Sequence, residues 1–270
     1  MSKAAFLATL AFSATFLPAA TFSDENCNIK LWEPGKVPLS AGEGPLDQPF
    51  LTVFQPPKHK RNGSAVIIAP GGANIMLMYG AEGIEIAERF NDWGTTAFVL
   101  TYRLGPKYRE DARVLDGNRA LRLLRSRAQE FKLDPDRIMF AGFSAGSAMA
   151  RDVMAGSAPG NATAADPVDR YGSKPNLLLM VYGPGEPSPN EKLKEFPPTF
   201  LLAAAADADA ATGTAQLFLD MNMAGAVAEL HIFQRGRHGF GAATTSPEFG
   251  PWMDALNHFL KLNNFFEAKK

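Results

Sequence analysis

Ser144 lies in Gly142-Phe143-Ser144-Ala145-Gly146, directly after the apolar run Arg137-Ile138-Met139-Phe140-Ala141 and before a stretch that can be helical. A chain turning this sharply from strand to helix puts the serine in a strained backbone conformation, and only flanking residues with almost no side chain fit beside it. A serine hydroxyl is a weak nucleophile at neutral pH. It needs a base within hydrogen-bond reach, usually a histidine whose other ring nitrogen is held by a carboxylate. Of the four histidines, His59 sits in a basic turn, His258 on the terminal helix and His231 inside an apolar strand. His238, in Gly236-Arg237-His238-Gly239-Phe240-Gly241 just after the last strand, is the expected base, because loops at the carboxyl edge of an open sheet gather side chains beside the elbow. The carboxylate is expected after the strand Thr199–Ala203. There Asp207 is preferred as nearer the strand end; Asp209 is its rival, and the loser is read as a solvated or helix-capping aspartate. Attack on a carbonyl also creates an oxyanion, which needs main-chain donors. Gly71, Gly72 and Ala73, after the strand Ser64–Ala69, are expected to supply them together with the N–H of Ala145. A plain tight turn would use the same glycines.

The elements that must carry these residues alternate. Phe50–Phe54, Ser64–Ala69, Thr96–Tyr102, the run into Ser144, Asn176–Tyr182, Thr199–Ala203 and Ala228–Phe233 read as strands, most of them unalternated as in a sheet buried on both faces. Between them, Ile84, Ala87, Phe90 and Trp93 recur at helical spacing before Gly94. A second helix carries Ala120, Leu121, Leu124, Ala128 and Phe131 on one face, a third is expected over Thr214–Ala224, and Pro251–Leu262 closes the chain. Met154–Lys174 and Gly183–Pro198 read as loops, the latter too short for a large lid. Strands alternating with helices of this length imply an α/β fold with a mostly parallel sheet.

With 270 residues, 46% hydrophobic, and a net charge of −1, the chain can bury a full core and offers nothing that draws a polyanion, so nucleic acid is excluded as an expected partner. Lys58-His59-Lys60-Arg61 beside Asn62-Gly63 reads as a solvated turn. Scattered histidines and a single cysteine, Cys27, offer no metal cluster, and no cofactor is implied. Lys3 followed by the apolar, small-residue run Ala4–Ala20 and then Ser23-Asp24-Glu25-Asn26 resembles a secretory signal peptide, residues 1–23, with an uncleaved anchor as the competing reading. The expected location is secreted or periplasmic, with no membrane attachment after cleavage. Residues 24–49 are read as an N-terminal extension and 50–270 as the catalytic domain.

Taken in order, Pro70-Gly71-Gly72, Ala97-Phe98-Val99-Leu100-Thr101-Tyr102-Arg103-Leu104-Gly105-Pro106, Arg119-Ala120-Leu121-Arg122-Leu123-Leu124-Arg125, Asp134-Pro135-Asp136-Arg137-Ile138, Gly142-Phe143-Ser144-Ala145-Gly146 and Ala228–Phe233 leading into His238-Gly239-Phe240-Gly241 resemble the secreted carbohydrate acetyl esterases of the α/β-hydrolase superfamily. The resemblance runs from about Phe50 to the end. It implies an α/β-hydrolase fold with a minimal lid. It makes Ser144, Asp207 and His238 a catalytic triad, the Gly71-Gly72 turn with Ala145 an oxyanion hole, and a small ester or acetylated glycan the substrate. The chain departs from that group at Ala73-Asn74, where Gly-Tyr is usual, at Ser147-Ala148, where Gly-His is usual, and in the acid loop, where Ala206 replaces an aspartate and Ala208-Asp209-Ala210-Ala211 replaces the usual end. A serine peptidase or lipase of the same fold, and a catalytically silent sugar-binding or partner-binding relative, are the alternatives.

Overall fold

The computed structural model describes residues 28–183, 190–243, 249 and 252–267. The leader read at residues 1–23 lies outside them. Eight strands form one sheet: β1 (Asn28–Lys30), β2 (Phe50–Phe54), β3 (Ala65–Ala69), β4 (Thr96–Thr101), β5 (Ile138–Phe143), β6 (Leu177–Val181), β7 (Thr199–Ala204) and β8 (Ala228–Phe233). Their order is β1-β2-β4-β3-β5-β6-β7-β8, antiparallel at β1, β2 and β4 and parallel from β4 across to β8. The helices are α1 (Glu85–Asp92), α2 (Glu110–Ser126), α3 (Ala128–Phe131), α4 (Ala145–Ala155), α5 (Asn190–Leu193), α6 (Ala208–Met223) and α7 (Trp252–Leu262). Every residue of β3, β5, β6 and β7 is buried. That burial explains why these strands read as continuous apolar runs: side chains on both faces meet helices. One cluster, with Phe98, Phe140 and Leu121, fills one side, and a second, with Phe143, Phe200 and Trp252, fills the other.

The chain order reverses between β3 and β5, which are hydrogen-bonded neighbours. At such a switch point the loops leaving adjacent strands diverge and open a crevice at the carboxyl edge. The turn after β3 and the serine after β5 border that crevice.

Several elements differ from the sequence reading. The segment read as an extension begins the fold. Asn28–Lys30 pairs with β2, Leu31 is buried, and Asp47 is buried against Lys107 and the Tyr108 hydroxyl. α6 starts at Ala208, six positions before Thr214, because the alanine-rich stretch after Asp207 consists largely of strong helix formers. The single helix expected through Phe131 breaks at Arg127, whose φ of −108° and ψ of 16° leave the helical range. The Met154–Lys174 stretch holds the last turn of α4 and a 3-10 turn at Pro167–Arg170. Arg119, Arg122 and Arg125, one helical turn apart on α2, clamp it. Arg119 binds Asp166 and Asp169, Arg122 the carbonyls of Asp169 and Tyr171, and Arg125 those of Gly172 and Lys174. Lys58–Lys60 forms the exposed turn its charge suggested.

The Tyr102-Arg103-Leu104-Gly105-Pro106 run acquires a reason. Arg103 is 1% exposed and Asp116 fully buried; their side chains meet at 2.7 Å, and Asp116 also accepts the Arg103 backbone N–H at 2.9 Å. The guanidinium lies 5.5 Å from the Trp32 ring and 5.1 Å from that of Tyr108, and it donates to the carbonyls of Pro38 and Ala112. Removing one partner of a buried pair leaves the other charge uncompensated, which costs about 3–5 kcal/mol. Asp116→Ala is therefore expected to lower the urea midpoint by that equivalent with the denaturant slope unchanged, whereas Asp92→Ala, which deletes the exposed partner of Arg89, leaves the midpoint in place.

Candidate active site

Ser144 occupies the junction of β5 and α4 with φ of 54° and ψ of −118°, a conformation outside the regions open to most non-glycine residues. Its N–H donates to the Val181 carbonyl at 2.9 Å, which ties the strained residue to the end of β6. The flanking glycines are steric necessities. A Cβ on Gly142 would lie 2.0 Å from the Gly146 carbonyl oxygen, and one on Gly146 would lie 2.0 Å from that of Ala69. A side chain at Gly142 would drive the strand away from the first turn of α4, and one at Gly146 would drive that turn away from the end of β3.

The structure brings Ser144, His238 and Asp207 into one hydrogen-bonded chain. Ser144 Oγ is 2.7 Å from His238 Nε2, and His238 Nδ1 is 2.5 Å from Asp207 Oδ2. An ionised carboxylate only accepts, so Nδ1 carries the proton and Nε2 is the lone-pair nitrogen facing the serine hydroxyl. Asp207 stands at the N-cap of α6 with only 15% of its side chain exposed, and its carboxylate makes no capping bond. It is committed to the histidine instead. Asp209 sits inside the first turn of α6. The other histidines are elsewhere: His231 pairs with Glu229 and stacks on Phe200, His59 is in the turn at Lys58–Lys60, and His258 is on α7.

The expected oxyanion donors need one correction. The N–H of Gly71 is not available, because it donates to the Glu82 carboxylate at 2.6 Å. Gly71 serves sterically: a Cβ there would lie 2.7 Å from Ser144 Cβ and 2.6 Å from the Phe143 carbonyl. The N–H groups of Gly72, Ala73 and Ala145 carry no hydrogen bond among the described residues. Ala145 is the first residue of α4, where the positive end of the helix dipole reinforces its N–H toward developing negative charge. Ala73 and Asn74 hold φ of 54° and 63°. The glycine usual at position 73 in the resembling sequences would adopt this shape freely, whereas alanine there costs on the order of 1 kcal/mol. The second departure also has a structural consequence. Ser147 Oγ is buried without a hydrogen-bond partner directly beneath Gly183, where a Cβ would approach it to 2.4 Å.

Glu82 and Tyr182 are the residues that sequence reasoning missed. Glu82 is 2% exposed and belongs to the single turn of π-helix, Gly80–Ile84, that leads into α1. Tyr182 is fully buried at the end of β6. Its hydroxyl donates to Glu82 at 2.8 Å and its ring centroid lies 4.9 Å from that of His238. Burial, reinforced by the neighbouring Glu82 charge, raises the Tyr182 phenol well above its ordinary range, so it remains a donor. A carboxylate at the head of an amphipathic helix reads as solvated. Nothing in the local sequence marks it, since the Gly71 N–H it accepts lies eleven residues away.

The site is open. The His238 side chain is 48% exposed, Ile75, Met76 and Met78 stand exposed after β3, and a cleft of 470 Å³ is lined by His238 together with Ala206, Arg235, Arg237, Phe240 and Phe249. Among the described residues no group of three or more His, Cys, Asp or Glu is placed to hold a metal, and no helix is long and apolar enough to cross a membrane.

The family model described as BD-FAE matches residues 51–184. The acetylxylan esterase of Xylanibacter ruminicola is 26% identical over 232 residues, covering 74% of this chain and 46% of that protein, so the chain spans about half the length of that relative. Among solved structures, the acetyl ester-xyloside bifunctional hydrolase of Caldicellulosiruptor lactoaceticus superposes with a TM-score of 0.80 at 29% identity, over 88% of this chain and 96% of that one. A carboxylesterase-like structure from Lactobacillus plantarum, described as putative, gives 0.63 at 27% identity over 80% and 93%. The propionate-bound esterase of Thermogutta terrifontis, at 21% identity and a TM-score of 0.67 over 83% and 92%, shares the fold. The chain has the α/β-hydrolase fold and belongs to that superfamily, and its residues 51–184 are similar to the BD-FAE family within it.

Proposed function

We propose that the protein is an exported serine esterase that removes small acyl groups, acetyl foremost, from plant-type polysaccharide or oligosaccharide. It is a carboxylic-ester hydrolase. The observation that carries the reading is the Ser144–His238–Asp207 hydrogen-bonded chain set opposite unpaired main-chain amides at a strained strand-to-helix elbow. Ser144 Oγ attacks the acyl carbon while His238 Nε2 takes its proton, and Asp207 holds the imidazolium in orientation. The oxyanion faces the N–H of Ala145 and those of Gly72 and Ala73; as the acyl C–O bond breaks, His238 gives the proton to the departing sugar oxygen, which leaves as a hydroxyl. A water molecule, deprotonated by the same nitrogen, releases the acid from Ser144. The half-exposed His238 leaves the alcohol side open to a bulky leaving group, and the acetylxylan esterase and acetyl ester-xyloside hydrolase among its relatives favour an acetylated sugar. Export rests on the leader-like residues 1–23.

The deciding experiment compares acetate release from acetylated xylan and from other acetylated glycans with hydrolysis of a long-chain ester and of a peptide. Release from the glycans, with little turnover of the other two, is the expected result. Preference for the long-chain ester establishes a lipase, and cleavage of the peptide a peptidase. Failure of a fluorophosphonate to label Ser144 in active-site titration establishes a silent relative.

A further inference from the structure

The buried carboxylate of Glu82 and the hydroxyl of Tyr182 make no hydrogen bond to Ser144. Their bonds instead run between the loops that carry the proposed site. Glu82 Oε2 accepts the N–H of Gly71, in the oxyanion turn, at 2.6 Å. Glu82 Oε1 accepts the Tyr182 hydroxyl at 2.8 Å, and the Tyr182 oxygen accepts the N–H of Gly241, in the histidine loop, at 3.1 Å. The Tyr182 backbone N–H donates to the Leu202 carbonyl at 2.7 Å, and Val181, its predecessor, accepts the N–H of Ser144. The Tyr182 ring leans on His238 at 4.9 Å and on Phe240 at 4.6 Å. Gly241 closes directly on the Glu82 turn, where a Cβ would meet the Ala81 carbonyl oxygen at 2.6 Å. One carboxylate and one phenol thus connect the oxyanion turn, the end of β6 that holds the elbow, and the loop of the base.

Two of these bonds have consequences for chemistry. By occupying the N–H of Gly71, Glu82 determines that the turn offers the following amides, those of Gly72 and Ala73, to an oxyanion. By fixing Gly241 and the face of the His238 ring, Tyr182 limits how far Nε2 can swing from Ser144 Oγ. Reaction rate is sensitive to displacements of this kind, with a misplacement of about 1 Å able to cost on the order of 100-fold.

We infer that Glu82 and Tyr182 are positioning residues that hold the oxyanion turn and the histidine loop in register for acyl transfer. The inference rests on the serine-esterase reading and names residues that reading does not require. Tyr182→Phe keeps the ring and removes the hydroxyl. Glu82→Gln keeps the shape but turns one acceptor into a donor, so that either Gly71 or Tyr182 loses its acceptor. Each variant is to be measured with a chromogenic acetate ester, with kcat expressed per active site titrated by a fluorophosphonate, so that only folded, competent molecules are counted. The expected result is a fall in kcat of about tenfold for each with KM within about twofold, since alignment acts on the transition state more than on binding. The double variant is expected to fall no further than the worse single one, because both act through one network. A kcat per titrated site equal to wild type, with only the thermal midpoint lowered, overturns the inference and leaves the pair a structural contact. Multiplicative losses in the double variant also overturn it. A wild-type protein that neither labels nor hydrolyses overturns the esterase reading as well, whereas an active, labelled wild type with unaffected variants overturns this inference alone.

Discussion

Ser144→Ala is expected to lower kcat on an acetate ester by on the order of 10⁶-fold while leaving the fold and the substrate KM nearly unchanged, and to abolish fluorophosphonate labelling entirely. The size follows from the chemistry. Without Oγ no acyl-enzyme forms, and His238 Nε2, 2.7 Å from that oxygen, has no proton to take from a nucleophile. The free amides of Ala145, Gly72 and Ala73 survive the substitution, so a residual acceleration of about 10³-fold over the uncatalysed reaction is expected from water attacking a carbonyl held in the same place. The substitution also relieves nothing in the backbone, since alanine in the same positive-φ conformation pays the same steric penalty as serine. Thermal stability within about 2 °C of wild type, at this loss of rate, separates a nucleophile from a structural serine. Undiminished hydrolysis by the variant removes Ser144 from the mechanism.

The parts of the site legible in sequence are those where sterics or strand order leave a local mark. The elbow was readable because Gly142 and Gly146 have carbonyl oxygens 2.0 Å from where a side chain would begin. His238 and Asp207 were readable because a parallel sheet delivers its carboxyl ends to one edge, so residues just past β8 and β7 meet those past β5. Glu82 and Tyr182 were not, because their role depends on partners 11, 100 and 59 positions away, at Gly71, each other and Gly241. A glutamate among helical residues and a tyrosine ending a strand carry no local pattern that announces such contacts. The same reasoning accounts for Gly71. As a glycine in a donor-rich turn it read as an oxyanion donor, and only the position of the Glu82 carboxylate shows its N–H to be engaged. β1 escaped notice because three residues are too few to show alternation, although Leu31 beyond them is buried in the core.

Asp207 and Asp209 could not be separated by type, and only weakly by position, yet opposite outcomes are expected when each is changed to asparagine. In Asp207→Asn the 2.5 Å contact to His238 Nδ1 persists in space but loses its charge. An asparagine amide facing Nδ1 favours the tautomer with the proton on Nε2, which then points a proton at the serine hydroxyl where a lone pair is needed. The imidazolium formed during attack also loses its counter-charge. A fall in kcat of about 10⁴-fold is expected, with KM little changed and the loss partly recovered as hydroxide supplies the base at alkaline pH. Asp209, inside the first turn of α6, contributes only its favourable position at the helix N-terminus. Asp209→Asn is expected to retain kcat within about twofold. Side-by-side steady-state kinetics over pH 6–10 settles the assignment. Equal losses would mean that the two carboxylates share the histidine during turnover, and a large loss in the Asp209 variant alone would require the loop between β7 and α6 to rearrange when substrate binds.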